Sequence, residues 1–276
     1  MNSQTIKRPI AVLFAIPSYD AKVYTGFFES MLKTIIYLKH HNIHADIMFL
    51  PGDSLVPRAR NNLVAKFLTF KKFSHLMFID ADIIWHPSAV LGLLKHDKNL
   101  SGAAYPKKKI MWDRLPHIKG HAPNKKQSYN KEMTDVEFYK HHMIDYNFNV
   151  KDDVVGKIQI QNNLIKVKHI ATGFMLIKRE MLEKMCKEYS HLKYVDDVGA
   201  LSEDEQKNAY ALFNCEVDKN LHYLSEDWLF CDRWRKIGGE VYLDITVGLT
   251  HMGIHPFSGR LLTTLTIGDL EEKKIK

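Results

Sequence analysis

Cysteine is scarce in this chain. Only Cys186, Cys215 and Cys231 occur among 276 residues, too few and too scattered for a disulfide framework or a four-cysteine zinc site, which points to a reducing compartment. Long apolar runs are missing as well. The most hydrophobic stretch near the start, Ile10 to Ile16 behind Lys7 and Arg8, is short for a signal-peptide core, ends at Pro17 and is followed by no small-residue cleavage site. A buried strand is the better reading. Nothing approaches the ~20 apolar residues that cross a bilayer, so the expectation is a soluble, cytoplasmic protein without a membrane span. No G-x-G-x-x-G follows the first apolar run and no G-x-x-x-x-G-K-[ST] is present, which disfavours dinucleotide and P-loop chemistry. Internal repeats are absent too. With 45% hydrophobic and 26% charged residues, disorder, collagen and coiled coil are poor readings.

What is there is an alternation of short apolar runs with helical patterns. Strands are expected at Ile10–Ile16, Asp46–Leu50, His75–Ile79 and Gly102–Tyr105. Between them fall helices at Gly26–His40, with Phe27, Met31, Ile35 and Leu38 on one face, at Pro57–Leu68 and at Pro87–His96. Such alternation builds a parallel sheet covered on both faces, with ligands at the carboxyl ends of the strands. From Pro106 to about Asp152 the pattern dissolves into a long loop of the kind that is usually functional or disordered. Beyond it, Lys157–Ile160 and Leu164–Lys168 flank Gln161-Asn-Asn163 as a hairpin. A strand at Phe174–Ile177, helices at Arg179–Glu188 and Ser225–Lys236, and a strand at Val241–Asp244 complete the reading. The stretch Tyr194–Leu224 gives no clear assignment.

Charge is unevenly spread. The formal net charge is +7, and Lys107, Lys108, Lys109, Arg114, Lys119, Lys125 and Lys126 against Asp113 alone place nearly all of that excess between residues 107 and 126. This is either a solvated basic loop or a lid over an anionic ligand. A nucleic-acid-binding protein would need basic residues interleaved with aromatics over an extended surface and a known module pattern, and neither is found.

Four segments could carry chemistry. Asp80-Ala81-Asp82 closes the strand ending at Ile79; two carboxylates spaced by one residue on an extended chain share a side and suit Mg²⁺ or Mn²⁺ bridged to a diphosphate, although either Asp could equally serve the next helix. Ser225-Glu226-Asp227 opens a helix, where Ser is a natural N-cap and acids complement the dipole; one carboxylate aimed at a cleft could instead act as general base. His251 and His255 could supply an imidazole to a metal, but Gly253 and Pro256 argue against a zinc-binding helix. Pro17-Ser-Tyr19-Asp20 and Pro51-Gly-Asp53-Ser54 lie after the first two strands, where Tyr19 could stack on a base, Asp20 or Asp53 accept from a ring N–H, and Arg58 or Arg60 reach phosphate or ribose.

In this order the segments resemble the GT-A class of nucleotide-sugar-dependent glycosyltransferases. The matching elements are Asp80-Ala-Asp82, Ala171-Thr-Gly173-Phe174, Ser225-Glu-Asp227 and His251, spread over roughly residues 9 to 257. Asp53-Ser54, Ala59-Arg60-Asn61, Phe78-Ile-Asp80 and Tyr105-Pro-Lys107 are also similar to stand-alone glycosyltransferases of large DNA viruses, phages and bacteria, which for a viral protein would mean the host cytoplasm. The resemblance implies an α/β, Rossmann-like GT-A fold, with a mixed, mainly parallel sheet flanked by helices and a smaller acceptor-side subsheet. It implies one catalytic domain over 1–276, divided into a nucleotide-binding half at about 9–105, a variable lid or insertion at 106–152 and an acceptor-side half at 153–259. Asp80, Asp82 and His251 would hold Mn²⁺ (or Mg²⁺), with Asp82 the more direct ligand. Pro17, Tyr19, Asp20, Asp53, Arg60, Asp80 and Ala81 would line the donor nucleotide, and Lys107, Gly173 and Trp228 the donor or acceptor sugar. Asp227 would be the base of an inverting transfer, with Glu226 beside it. The implied partners are a nucleoside-diphosphate sugar, UDP favoured, and a glycan, glycoprotein or other hydroxyl acceptor. The closest competitor is a nucleotidyltransferase of related fold, which usually shows a glycine- and arginine-rich loop after its first strand; Pro17 to Tyr24 has none. A basic nucleic-acid-binding protein is the alternative from another class.

Overall fold

Six consecutive apolar residues, Ala11 to Ile16, are buried on both faces, which is the signature of a strand in the middle of a covered sheet. In the computed structural model, which describes residues 9–118, 134–150, 158–265 and 270–272, this strand, β1 (Ala11–Ser18), lies between β2 (His44–Pro51) and β3 (His75–Ile79) and runs parallel to both. Its side chains alternate between two cores, as the strand period requires. Leu13 and Ala15 face one core; Val12, Phe14 and Ile16 face the other.

Helices cover both faces. On one, α1 (Thr25–His40) buries Phe27, Met31 and Leu38, with Ile35 only partly covered. It packs there with β4 (Ile83–Trp85) and α3 (Ser88–Lys95). α2 (Val56–Thr69) carries Pro57 in its first turn, where the missing N–H costs nothing, and buries Leu63, Val64, Phe67 and Leu68 in the other core. β5 (Leu100–Ala103) begins two residues earlier than the pattern suggested. The next described elements are β6 (Pro106–Ile110), a single helical turn α4 (Leu115–Ile118), α5 (Asp135–His142), β7 (Ile144–Tyr146) and β8 (Phe148–Val150). The hairpin follows as β9 (Ile158–Gln161) and β10 (Leu164–Ile170), paired antiparallel. Asn162 and Asn163 take φ of 52° and 65° at its tip, the conformation that asparagine tolerates in two-residue turns.

After β11 (Phe174–Lys178) and α6 (Arg179–Glu188) come the one-turn α7 (Glu203–Gln206), a small hairpin of β12 (Glu216–Val217) and β13 (Tyr223–Leu224), and α8 (Glu226–Lys236). Gly238, at φ 84°, turns the chain out of α8. Then β14 (Val241–Asp244), β15 (Gly248–Met252), β16 (Pro256–Arg260) and β17 (Leu270–Glu272) complete the described chain.

The large sheet runs β17-β9-β10-β14-β5-β11-β3-β1-β2, with β8 also on β10. Of its described strands, β10 and β11 alone run against the rest. Most strands therefore share one direction, as expected, but β11 inserted between β3 and β5 makes the sheet mixed rather than a plain parallel alternation. A separate three-stranded sheet, β16-β15-β4, stands at the carboxyl end of β3. The architecture is a mixed α/β, Rossmann-like fold.

The segment after Pro106, expected as irregular, forms three strands, two α-helical segments and a 3₁₀ turn at Trp112–Arg114 within its described part. α5 has a capping box, Thr134 and Glu137 bonding reciprocally, a Thr-x-x-Glu signal that the sequence displays. The basic run is divided: Arg114 binds Asp145 and the carbonyls of His142 and Ile144, while Lys119, Lys125 and Lys126, and with them part of the expected lid, lie outside the described residues. Among the described residues no helix is long and apolar enough to cross a membrane.

Two buried basic groups join the layers. Arg179, 5% exposed, donates to the carbonyls of Phe67, Leu68, Phe70 and Phe73 and so closes the C-terminal end of α2. His75, at the start of β3, is buried, and burial followed by the nearby Lys178 ammonium pushes its imidazole down to about 4. The folded state resists a proton that the unfolded chain takes up near 6.5, so stability present above that pH is lost as the solution is acidified toward 4. At pH 5 this linkage costs about 2 kcal/mol. His75→Gln should therefore shrink the drop in melting temperature between pH 7 and pH 5 by several degrees; an unchanged drop would remove His75 from the account.

Candidate active site

β3 ends at Ile79, and Asp80, Ala81 and Asp82 form a turn into β4 rather than continuing the strand. The Asp80 N–H donates to the Gly173 carbonyl at 3.1 Å, Ile83 N–H to the Asp80 carbonyl at 3.1 Å, and Met252 N–H to the Asp82 carbonyl at 2.8 Å. The acidic turn is thus pinned between β11 and β15. Because it is a turn, the two carboxylates do not share one side, as an extended chain would have placed them. Asp80 faces Arg60, and Asp82 faces Lys108 and His251.

Arg60, 4% exposed, reaches from α2 to two carboxylates. Its Nη2 donates to Asp80 Oδ1 at 3.0 Å and its Nε to Glu226 Oε1 at 3.3 Å, while the guanidinium lies 5.5 Å from the centre of the Phe78 ring. This fixes the relative position of the β3 turn and the start of α8. Two of its nitrogens are engaged by acids, while Nη1 is buried without a hydrogen-bond partner. Burial alone would lower the guanidinium's pKa, and Asp80 and Glu226 more than reverse that.

At the start of α8, Ser225 occupies the N-cap position in extended conformation, but its hydroxyl does not cap the helix. It donates to the Asp227 carboxylate, which also accepts from Trp228 N–H at 2.9 Å. Asp227 is 8% exposed. Burial raises the Glu226 carboxyl above its ordinary range despite Arg60, and the neighbouring Asp227 charge adds to the rise.

Tyr105, which follows β5, joins the two motifs. Its phenol is pushed far up by burial and then by the Asp80 and Asp227 carboxylates, so it stays protonated among them. Asn147 donates to its hydroxyl at 3.3 Å. Gly173 makes this packing possible: a Cβ there would stand 2.6 Å and 2.8 Å from Tyr105 ring atoms and 2.8 Å from Asp80 Oδ2. The glycine thus admits Tyr105 and Asp80, where the sequence reading had it admit a sugar. Asn147 was not singled out from the sequence, Tyr105 was named only within the Tyr105-Pro-Lys107 likeness, and Lys108 only within the basic run. Tyr105 and Lys108 follow the end of β5, so the rule that ligands gather at strand ends would have found them.

His251 sits on β15 opposite Ile83, one residue from Asp82. Its Nδ1 is 2.8 Å from the Pro106 carbonyl, and its Nε2 is 3.3 Å from Asp82 Oδ2. The Pro106 carbonyl on Nδ1 fixes the ring and turns Nε2 toward the carboxylate, the orientation a metal-ligating histidine needs. Two ligand atoms adjacent on an octahedral Mg²⁺, each bonded at about 2.1 Å, are about 3 Å apart, so this pair fits such an ion. Among the described residues no three His, Cys, Asp or Glu side chains come together as a closed metal cage. The remaining ligands would be water or phosphate oxygens. Lys108 rests its ammonium on the same Asp82 oxygen, its stem beside Gly253. Burial would raise the Asp82 pKa, but bonds from His251 and Lys108 outweigh it and hold it low.

The other expected residues form a rim or stand apart. Pro17 lies near the end of β1, Tyr19 and Asp20 follow it, Asp53 follows β2, and a Gly52 N–H to Tyr19 carbonyl bond of 3.0 Å ties the two loops. Tyr19 is exposed, and Asp20 faces Lys22 at 3.8 Å. Asp53 accepts from Leu55 N–H at 2.9 Å and from Arg58 Nη2 at 2.8 Å, the helix-starting role that competed with nucleotide binding. The Ala81 carbonyl accepts from Tyr24 N–H at 3.2 Å. Lys107 is exposed, and its neighbour Lys108 is the lysine that reaches the acidic turn. The Trp228 indole stacks on the His169 imidazole, centroids 4.8 Å apart and planes 13° from parallel. His255 tilts against Phe257 and takes no part in the Asp82 cluster.

No protein-family model matches the chain, and no curated protein matches it. Among solved structures, 97% of the chain aligns with 98% of the STIV protein A197 at 16% identity and a TM-score of 0.47. A glycosyltransferase involved in glycosylation of the major capsid of PBCV-1 aligns over 72% of this chain and 73% of its own, at 10% identity and a TM-score of 0.25.

Proposed function

We propose that this protein is a metal-dependent GT-A glycosyltransferase that moves a sugar from a nucleoside-diphosphate donor, UDP favoured, to a hydroxyl acceptor. The observation that carries the reading is the buried Arg60 clasp, which binds the acidic turn after β3 to the acidic start of α8. One acidic pair stands at a donor position and the other supplies a base. Around this point Asp80, Asp82, Glu226 and Asp227 outnumber Arg60 and Lys108, so the local field favours a divalent cation.

Asp82 and His251 would hold Mn²⁺ or Mg²⁺, with Mn²⁺ favoured by the imidazole. The ion would supply neutralisation of the charge that builds on the diphosphate as it leaves. Lys108 adds a second cation beside the same phosphates. The rim residues Pro17, Tyr19, Asp20, Asp53 and Ala81 line the nucleoside, and Lys107 and Trp228 the sugars. In the transfer, Asp227 takes the proton of the acceptor hydroxyl, whose oxygen forms a bond to the anomeric carbon. The bond from that carbon to the diphosphate oxygen breaks, its electron pair leaves with the nucleoside diphosphate, and the configuration inverts. Glu226 stays with Arg60 and fixes the acceptor side.

The test is a thermal-shift and hydrolysis screen against nucleotide sugars with and without Mn²⁺. A response to at least one donor is expected, and silence toward all of them would sink the reading. Asp82→Ala should fold normally yet lose the Mn²⁺-dependent part of the shift; a retained metal response would move the ion elsewhere.

A further inference from the structure

The turn of α8 that carries Asp227 also carries Trp228, and a cavity of ≈560 Å³ opens against that tryptophan. Its walls include Trp228, His169, Tyr223, Asp218, His222 and Asn149. The volume is that of a small-molecule site. The walls pair flat rings with hydrogen-bonding groups. Trp228 and His169 form a rigid stack, because His169 Nε2 is held 3.0 Å from Asp232 Oδ1 and its Nδ1 3.4 Å from Asn149 Nδ2.

The opposite wall is the tip of the β12–β13 hairpin. Asp218 Oδ1 accepts from the N–H groups of Asn220 at 2.9 Å and His222 at 2.8 Å, so the tip is fixed without help from a ligand. At that tip Leu221 is held at φ 64° and is 85% exposed. A bulky non-glycine residue in the left-handed region, with its side chain in water, stores backbone strain and exposes apolar surface, a combination that accumulates at binding sites. Tyr223, 69% exposed, adds an aromatic ring.

The charges around the cavity are compensated. Lys168 and Arg235 offset Asp218 and Asp232 in formal charge, with Asp232 shared between His169 and Arg235 Nη1, the latter at 2.9 Å, and Asp218 turned onto its own hairpin. An anionic or strongly cationic ligand therefore finds no unbalanced field. A ligand with apolar faces and several hydroxyls finds rings to lie on and fixed acceptors at its edge.

We propose that this cavity is a subsite for a neutral, polyhydroxylated sugar ring belonging to the acceptor. Its part as an acceptor subsite rests on the glycosyltransferase reading, whereas sugar binding as such does not. The test is titration of the protein, without donor or metal, with the methyl glycosides of glucose, galactose, mannose and xylose, and with methyl glucuronide as the charged control, followed by calorimetry and saturation-transfer NMR. Saturable binding of at least one neutral glycoside is expected, weakened about 5-fold or more by Tyr223→Ala and by Trp228→Leu, with melting curves showing that both variants fold. Tyr223→Ala keeps the comparison valid should Trp228→Leu fail to fold. Absence of binding by every neutral glycoside, unchanged affinity in the variants, or preference for the glucuronide overturns the inference. Glycoside binding without any response to nucleotide sugars ends the acceptor role and the glycosyltransferase reading together, leaving a sugar site. A donor response without glycoside binding ends the inference alone.

Discussion

Asp227→Asn is expected to lower turnover by ~100-fold or more while donor affinity stays as it is. The two side chains have nearly the same shape. An asparagine oxygen still accepts from Trp228 N–H and from the Ser225 hydroxyl, the two bonds that aim the native carboxylate, so the helix start keeps its form. What disappears is a group able to take a proton from the acceptor. The loss should therefore fall on kcat and leave the donor KM alone, the pattern of an interaction made only in the transition state. Steady-state kinetics on purified variant protein is the check, and undiminished transfer would end the assignment of Asp227 as base.

The second large effect is on stability. Arg60→Met should cost about 3 kcal/mol, the lower end of the range for removing one partner of a buried charge pair. The lower end applies because the side chains left behind are partly wetted, Asp80 at 29% and Glu226 at 18% exposure. In a chain of this size the melting temperature should fall by roughly 6 to 12 °C. Arg60→Lys keeps the charge but not the fork that reaches both acids, and should land between the two. The penalty also depends on pH. Burial already raises the Glu226 carboxyl with Arg60 present, and without it the folded state holds that proton more strongly still. A folded-state pKa raised above the unfolded value gives stability that is present at low pH and lost as pH rises, so the deficit of the variant should narrow on acidification toward pH 4. A deficit independent of pH would mean that packing around Phe78, rather than charge, is what Arg60 supplies.

The first hundred residues were the most legible part of the sequence, because each strand there is a continuous apolar run and each helix a clean period. His75–Ile79, Arg179–Glu188 and Val241–Asp244 coincide with their expected limits. The insertion of β11 between β3 and β5 could not be read, since a short apolar run carries no mark of its direction or its neighbours. β4 and β15 escaped for a related reason. They are short, and their alternation is interrupted by the polar residues that form the candidate site. The site was legible as a list of residue types but not as a set of partners. Asp80 and Asp82 were expected to act side by side, yet one residue of turn sends them to Arg60 and to His251. The ion pairs of Arg60 could not be read, because nothing in a sequence says that an arginine on α2 will meet a glutamate 166 positions later.

The position of β5 has a consequence for the order in which the chain can fold. Both of its neighbours in the sheet, β11 and β14, are made after it. A ribosome adding 5–20 residues per second needs on the order of ten seconds to pass from the end of β5 to β11, and longer to reach β14. Through that interval β3 has an unpaired edge and β5 has no partner strand. The Tyr105 corner, the acidic turn and Gly173 meet only when β11 docks, so the site matures late in synthesis. Contacts of such long range fold slowly, and the nascent chain meanwhile presents a hydrophobic strand edge that invites association with other chains. Synthesis outpacing docking would therefore yield aggregates of full-length chains.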